Sequence, residues 1–96
     1  MQLTIKQLRQ KGYKVRVMHH RHLIKVQKIM GVAHEISARG GSTTIEVSTP
    51  DKQHHFIGKA VCSLEDNFNK KVGNSIALGR ALRELFQAHP EYLINF

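Results

Sequence analysis

Lysine and arginine crowd the first third of the chain at a spacing that suits contact with phosphates. Lys14 and Arg16 alternate with Val15 and Val17, so on a strand the two bases stand together on one face. Lys6, Arg9 and Lys11 lie just before them, and Arg21 and Lys25 continue the series. Such a row tracks a phosphate backbone by charge alone. Tyr13 is the only aromatic residue of this third, so base stacking has little to work with and backbone-led contact with a duplex is the more natural chemistry. Residues 1–34 hold eight Lys or Arg and no Asp or Glu, whereas residues 35–96 hold seven of each. The formal net charge of +8 therefore resides in the first third, where His19, His20, His22 and His34 add to it as pH falls.

A second anion site is predicted further on. Asn67, Asn69, Lys70 and Lys71 stand at the start of a helical pattern, where free backbone N–H groups, amide side chains and two ammonium groups converge. Arg80 lies about two turns past Gly73 and is placed to project to the same side. The plainer reading has the asparagines capping the helix, the lysines solvated, and Arg80 paired with Glu84 at i, i+4.

Other chemistry finds less support. His20 and His22 would point the same way on a strand and, with His54 or His55, could share a metal. No carboxylate or thiolate lies close in sequence and Arg21 would repel a cation, so these histidines read as titrating surface groups. Cys62 is the only cysteine; it has no base within reach along its strand and reads as structural. The adjacent Glu65 and Asp66 suit a helix start rather than acid–base work. The chain has no G-x-x-x-x-G-K-[ST], G-x-G-x-x-G, H-E-x-x-H or G-x-S-x-G sequence. A non-enzymatic protein with no metal and no cofactor is expected.

The elements that must position these residues follow from local pattern. Thr4 and Gln7 fit a capping box, and Gly12 a stop, for a short helix over 4–11 with Ile5 and Leu8 on one face. Residues 13–19 alternate as a strand, with Tyr13, Val15 and Val17 opposite Lys14, Arg16 and Met18. Residues 23–30 predict a second strand of uncertain register, and residues 31–39 suit either a strand or an irregular segment. Residues 43–49, a Pro50-Asp51 turn and residues 54–62 predict a hairpin. Ser63 and Asp66 predict the cap of a long helix, whose apolar stripe is Ile76, Leu78, Ala81, Leu82, Leu85 and Phe86. Gly73 is expected to bend its first turn, and Gly79 to admit close approach to the sheet; His89-Pro90 ends it. The tail residues Tyr92, Leu93, Ile94 and Phe96 either fold back or cover a partner, a second copy being one candidate.

The expected fold class is α+β over one domain, residues 1–96: a short N-terminal helix, a three- to four-stranded antiparallel sheet and a long C-terminal helix packed on one face. An apolar content of 41% is close to the globular norm of about 45–50%. Neither a secretory leader nor a span of about 20 apolar residues is seen, which predicts a soluble, cytoplasmic protein with no membrane partner.

From Gly40 onward the residues resemble a group of small phage and prophage accessory proteins of unassigned role. The likeness rests on Gly40-Gly41-Ser42-Thr43, on Gly58-Lys59-Ala60 with Cys62-Ser63, on Asp66-Asn67-Phe68-Asn69-Lys70-Lys71 with Gly73, and on Ile76-Ala77-Leu78-Gly79-Arg80-Ala81-Leu82. It covers residues 40–85 well and residues 8–17 loosely. Asn74 stands where an arginine is expected in that group, which weakens a phosphate role there. A looser similarity is to double-stranded RNA-binding domains, whose α-β-β-β-α order ends in a helix opened by a lysine pair, as Lys70-Lys71 do here. The first helix is shorter than in those domains, and acidic Glu65-Asp66 replace their glycine-rich approach.

Two functions are expected from these readings. One is a phage-type accessory protein that binds nucleic acid through a basic face. The other is a phage-encoded inhibitor, of anti-defence or host-takeover type, that docks on an acidic surface of a host protein or nucleoprotein complex.

Overall fold

Thr4 and Gln7 open the first helix by satisfying each other's backbone. The Gln7 N–H donates to Thr4 Oγ1 at 3.1 Å, and the Thr4 N–H donates to Gln7 Oε1 at 2.9 Å. The resulting helix, α1 (Ile5–Gln10), buries Leu8 alone and ends at Lys11, before Gly12 turns with φ of 92°. This is a computed structural model that describes residues 3–21, 23–28 and 31–95, with positions 24–28, 32–35, 94 and 95 described by backbone only.

The main sheet has three antiparallel strands: β1 (Lys14–His20), β4 (Ser42–Ser48) and β5 (His55–Val61), with β4 in the centre. Their register aligns Val15 with Val47 and Val17 with Ile45, then Val47 with Phe56, Ile45 with Gly58 and Thr43 with Ala60. Side chains alternate across a strand, so these residues share one face. The long helix α2 (Lys70–Ala88) covers that face with Ala77, Leu78, Ala81, Leu82 and Leu85. Leu8, Ile45 and Leu85 are fully buried, and burial of a side chain of this size is worth about 1.5–3 kcal/mol.

The helix sits close because of a glycine on the strand. A Cβ on Gly58 would stand 1.9 Å from the Ala77 carbonyl oxygen and 2.6 Å from the Ala81 nitrogen. Gly73 performs the same service against Thr43, where a Cβ would come within 2.4 Å of Oγ1, and the helix runs through it unbroken. Gly79, expected to face the sheet, is instead exposed with no atom within 4 Å of its would-be Cβ. Ile76 is likewise 43% exposed, and Ala77 takes its place in the stripe.

Two further strands, β2 (Leu23–Lys28) and β3 (Gly31–Ile36), pair only with each other. The expected single sheet of three or four strands is thus three strands plus a separate two-stranded ribbon. In sequence the ribbon continues β1 and β4: β1 ends at His20 before β2 begins at Leu23, and β3 ends at Ile36 before β4 begins at Ser42, with Arg21 and residues 37–41 at the break. Arg21 holds this hinge from inside. Its guanidinium lies 4.6 Å from the Phe68 ring centroid and donates to the Ser37 carbonyl at 3.0 Å. The loop before α2 is laced to the same hinge, with the Phe68 N–H on the Ala38 carbonyl at 2.7 Å and the Cys62 N–H on the Gly41 carbonyl at 2.8 Å. This loop replaces the helix start expected at Ser63, whose Oγ accepts from the Glu65 N–H within a turn; Asn69 caps α2, its Oδ1 accepting from the Val72 N–H at 3.2 Å. The molecule measures 59 × 23 × 21 Å, and its radius of gyration of 16.9 Å exceeds the roughly 12–13 Å of a compact chain of this length.

A 3-10 segment, η1 (Pro90–Asn95), folds the tail back. Tyr92 meets Tyr13 edge-on at 6.3 Å and donates its hydroxyl to Asp51 Oδ2 at 2.7 Å. Hydrogen bonds from Thr49, Tyr92 and the Gln53 N–H hold the Asp51 carboxyl at a pKa of about 2. Ile94 and Phe96, the rest of the apolar tail, lie outside the described side chains.

Candidate nucleic-acid interface

Alternation along the three strands builds two opposed surfaces, and the one away from α2 is open. It carries Lys14, Arg16, Met18 and His20 from β1, Ser42, Thr44, Glu46 and Ser48 from β4, and His55, Ile57, Lys59 and Val61 from β5. Lys14, Arg16 and Lys59 are exposed there. Glu46 is the only acid on this surface, and His55 Nδ1 stands 3.8 Å from its Oε1. Among the described side chains, the contacts in salt-bridge range are His55–Glu46 and His89–Glu91, so no described lysine or arginine is paired with a carboxylate. The open face is a cationic surface about three strands wide.

Lys59 was not among the expected site residues. Its signal lay in the alternation of residues 55–61, which sets Lys59 on the side opposite buried Gly58 and Ala60.

The remaining expected residues divide. Arg9 stays solvent-exposed, but its Nη2 donates to the Val15 carbonyl at 2.8 Å on the outer edge of β1. Arg80 does the same on the other edge, Nη1 donating to the Lys59 carbonyl at 2.5 Å rather than pairing with Glu84. Each outer strand of the sheet thus has an arginine on one outward carbonyl, which blunts edge-to-edge pairing. Arg21 is half-buried in the hinge. Lys25 pairs by backbone with His34 in the ribbon, and its side chain lies outside the described ones.

The second predicted cluster is on the helix side. Lys70 and Lys71 are exposed on the first turn of α2, Asn69 is spent as its cap, and exposed Asn67 bridges to Arg39. Lys6 and Lys71 line one groove between α1 and α2, while Lys11 is exposed where α1 ends. Lys14, Arg16 and Lys59 therefore stand on the open side of the sheet, while Lys6 of the first expected series joins Lys71 on the helix side.

His19 marks the ragged end of the covered face. Its Nδ1 is 3.0 Å from Thr43 Oγ1, and its ring meets Phe68 edge-on at 5.7 Å. Desolvation lowers its pKa below the ordinary 6.5, and the charges of Lys70, Arg21 and His20 push it the same way.

The histidine sets do not meet. His20 lies opposite Ser42 and His55 opposite Ser48, six residues and about 20 Å apart along β4. His22 lies outside the described residues. Among the described residues no cluster of three or more metal-binding side chains occurs, and no helix is long and apolar enough to cross a membrane. No protein-family model, curated protein or solved structure matches the chain.

Proposed function

We propose that this chain binds nucleic acid through the open face of its three-stranded sheet, with the duplex backbone as the main contact. The observation that carries this reading is the set of exposed Lys14, Arg16 and Lys59 on a face that no helix covers and that holds a single acid. Geometry adds to it. Outer strands two spacings apart stand about 10 Å from each other, close to the roughly 12 Å width of a B-form major groove. The 59 Å long axis also exceeds one duplex turn of about 34–36 Å. With the resemblance from Gly40 onward, the role is that of a phage-type accessory factor.

The test is fluorescence anisotropy of the full chain with random-sequence duplex and single-stranded oligonucleotides as salt rises from about 50 to 200 mM. Micromolar duplex binding is expected, with log affinity falling by about 3 to 4 per decade of salt for about four phosphate contacts. No binding at about 50 mM salt, or a flat salt dependence, overturns the reading.

A further inference from the structure

We propose that Arg16, Glu46 and Ile57, one row across the open face, read a G·C base pair in the major groove. This rests on the nucleic-acid reading above and adds to it a preference among duplexes. The register sets Arg16 directly opposite Glu46, and Glu46 directly opposite Ile57. The three side chains therefore leave neighbouring strands side by side. Strands stand about 4.8 Å apart, which makes the row about 10 Å long.

Glu46 is out of keeping with its surroundings. It is the only acid on a face that carries exposed Lys14, Arg16 and Lys59, and it stands on the central strand. A carboxylate in the middle of a phosphate-binding surface works against every backbone contact. The fold does not use it up. Among the described side chains no lysine or arginine pairs with it, Arg16 opposite included. His55 Nδ1 is 3.8 Å from its Oε1 but only 2.7 Å from Ser48 Oγ, and the Glu46 side chain is 33% exposed. Ile57 is equally out of place, 55% exposed beside charged groups.

The edge of one base pair answers both. Across the major groove a G·C pair presents guanine N7 and O6, then the cytosine amino group, then cytosine C5. Those are two acceptors, a donor and an apolar position. The row offers donor, acceptor and apolar groups in the same order: Arg16 forks onto N7 and O6, Glu46 accepts from the amino group, and Ile57 covers C5. An A·T pair fits worse, because it sets the adenine amino group against Arg16 and thymine O4 against Glu46.

The test is anisotropy of the full chain with short duplexes of G·C, A·T and inosine·cytosine pairs at about 50 mM salt. Inosine lacks the guanine 2-amino group, so its pair keeps the G·C edge in the major groove and resembles A·T in the minor groove. The G·C and inosine duplexes are expected to bind alike, at least about ten-fold tighter than A·T. Glu46→Ala brings all three within about two-fold and tightens A·T binding, since it removes the acid that faces thymine O4. Glu46→Gln keeps the size of the side chain, donates to O4 and has the same effect. Methylating cytosine C5 tightens binding about three-fold through Ile57, and Ile57→Ala cancels that gain. The proposal is overturned if the three duplexes bind alike, which leaves contact with the backbone alone, or if the inosine duplex follows A·T, which means that groove shape is read. It is also overturned if Glu46→Ala and Glu46→Gln keep the preference, or if C5 methylation brings no gain. If no duplex binds, the nucleic-acid reading itself falls, and this one with it.

Discussion

The two faces of the main sheet are built from the same residues taken alternately, yet they do opposite work. Val15, Val17, Ile45, Val47, Gly58 and Ala60 face α2, while Lys14, Arg16, Thr44, Ile57 and Lys59 face outward one position away. The covered face tolerates only small or apolar groups, because α2 rests on it with backbone almost touching backbone at Gly58. The open face tolerates charge because water solvates it. Changes on the first therefore register as stability, and changes on the second as binding.

The sharpest way to break that division is Gly58→Ala. A methyl group placed 1.9 Å from the Ala77 carbonyl must lift α2 off the sheet. We expect a loss of about 3 kcal/mol, at the upper end of overpacking costs, read as a fall in the urea midpoint. A variant within about 0.5 kcal/mol of the parent shows that the helix is not held this close. Next in size is the double change Lys14→Glu and Arg16→Glu on the open face. Duplex affinity should fall at least about ten-fold and the salt dependence should flatten by about 2 units, with the urea midpoint unchanged. A loss of stability equal to the loss of binding would merge the two faces again.

Local pattern made much of this legible. Thr4 and Gln7 announce α1, the alternation of residues 13–19 announces β1 and its basic face, and Pro50-Asp51 announces the β4–β5 turn, because each signal is complete within a few residues. Features that depend on what pairs with what were not legible. Ser63 bears the hallmarks of a cap, but the hinge at 38–41 captures its loop through backbone hydrogen bonds, and α2 waits for Asn69. Arg9 and Arg80 read as phosphate ligands because the strand edges whose carbonyls they meet exist only once the sheet has formed. Close approach was expected at Gly79 and is found at Gly58 for the same reason: which glycine meets a neighbour is decided by how the helix rotates on the sheet.

That contrast supplies a smaller prediction of opposite sign. Gly79→Ala adds a methyl group where nothing lies within 4 Å and removes backbone freedom from the unfolded chain. It should stabilise the protein by about 0.5–1 kcal/mol, raising the urea midpoint. A destabilised variant would mean that the outer side of α2 is packed against something in the folded chain after all. Thr4→Ala, which opens the capping box of α1, should cost about 1 kcal/mol by the same measurement.

The smallest expected effect tests where the covered face ends. His19 is its last member on β1, and its pKa is depressed by desolvation, with Lys70, Arg21 and His20 acting in the same direction. Because the folded pKa lies below the ordinary 6.5, the unfolded chain takes up the proton first as pH falls. The contribution of neutral His19 is therefore complete above about pH 6.5 and is lost as pH falls through the folded value. Urea midpoints measured between pH 8 and pH 5 should decline toward acid, and His19→Gln, which keeps a polar group toward Thr43, should flatten that decline. An undiminished decline in the variant would place the proton uptake elsewhere, and the covered face would then end at Val17. Asp51 cannot produce a decline in this window, since its depressed pKa of about 2 confines its own loss to pH values below about 4.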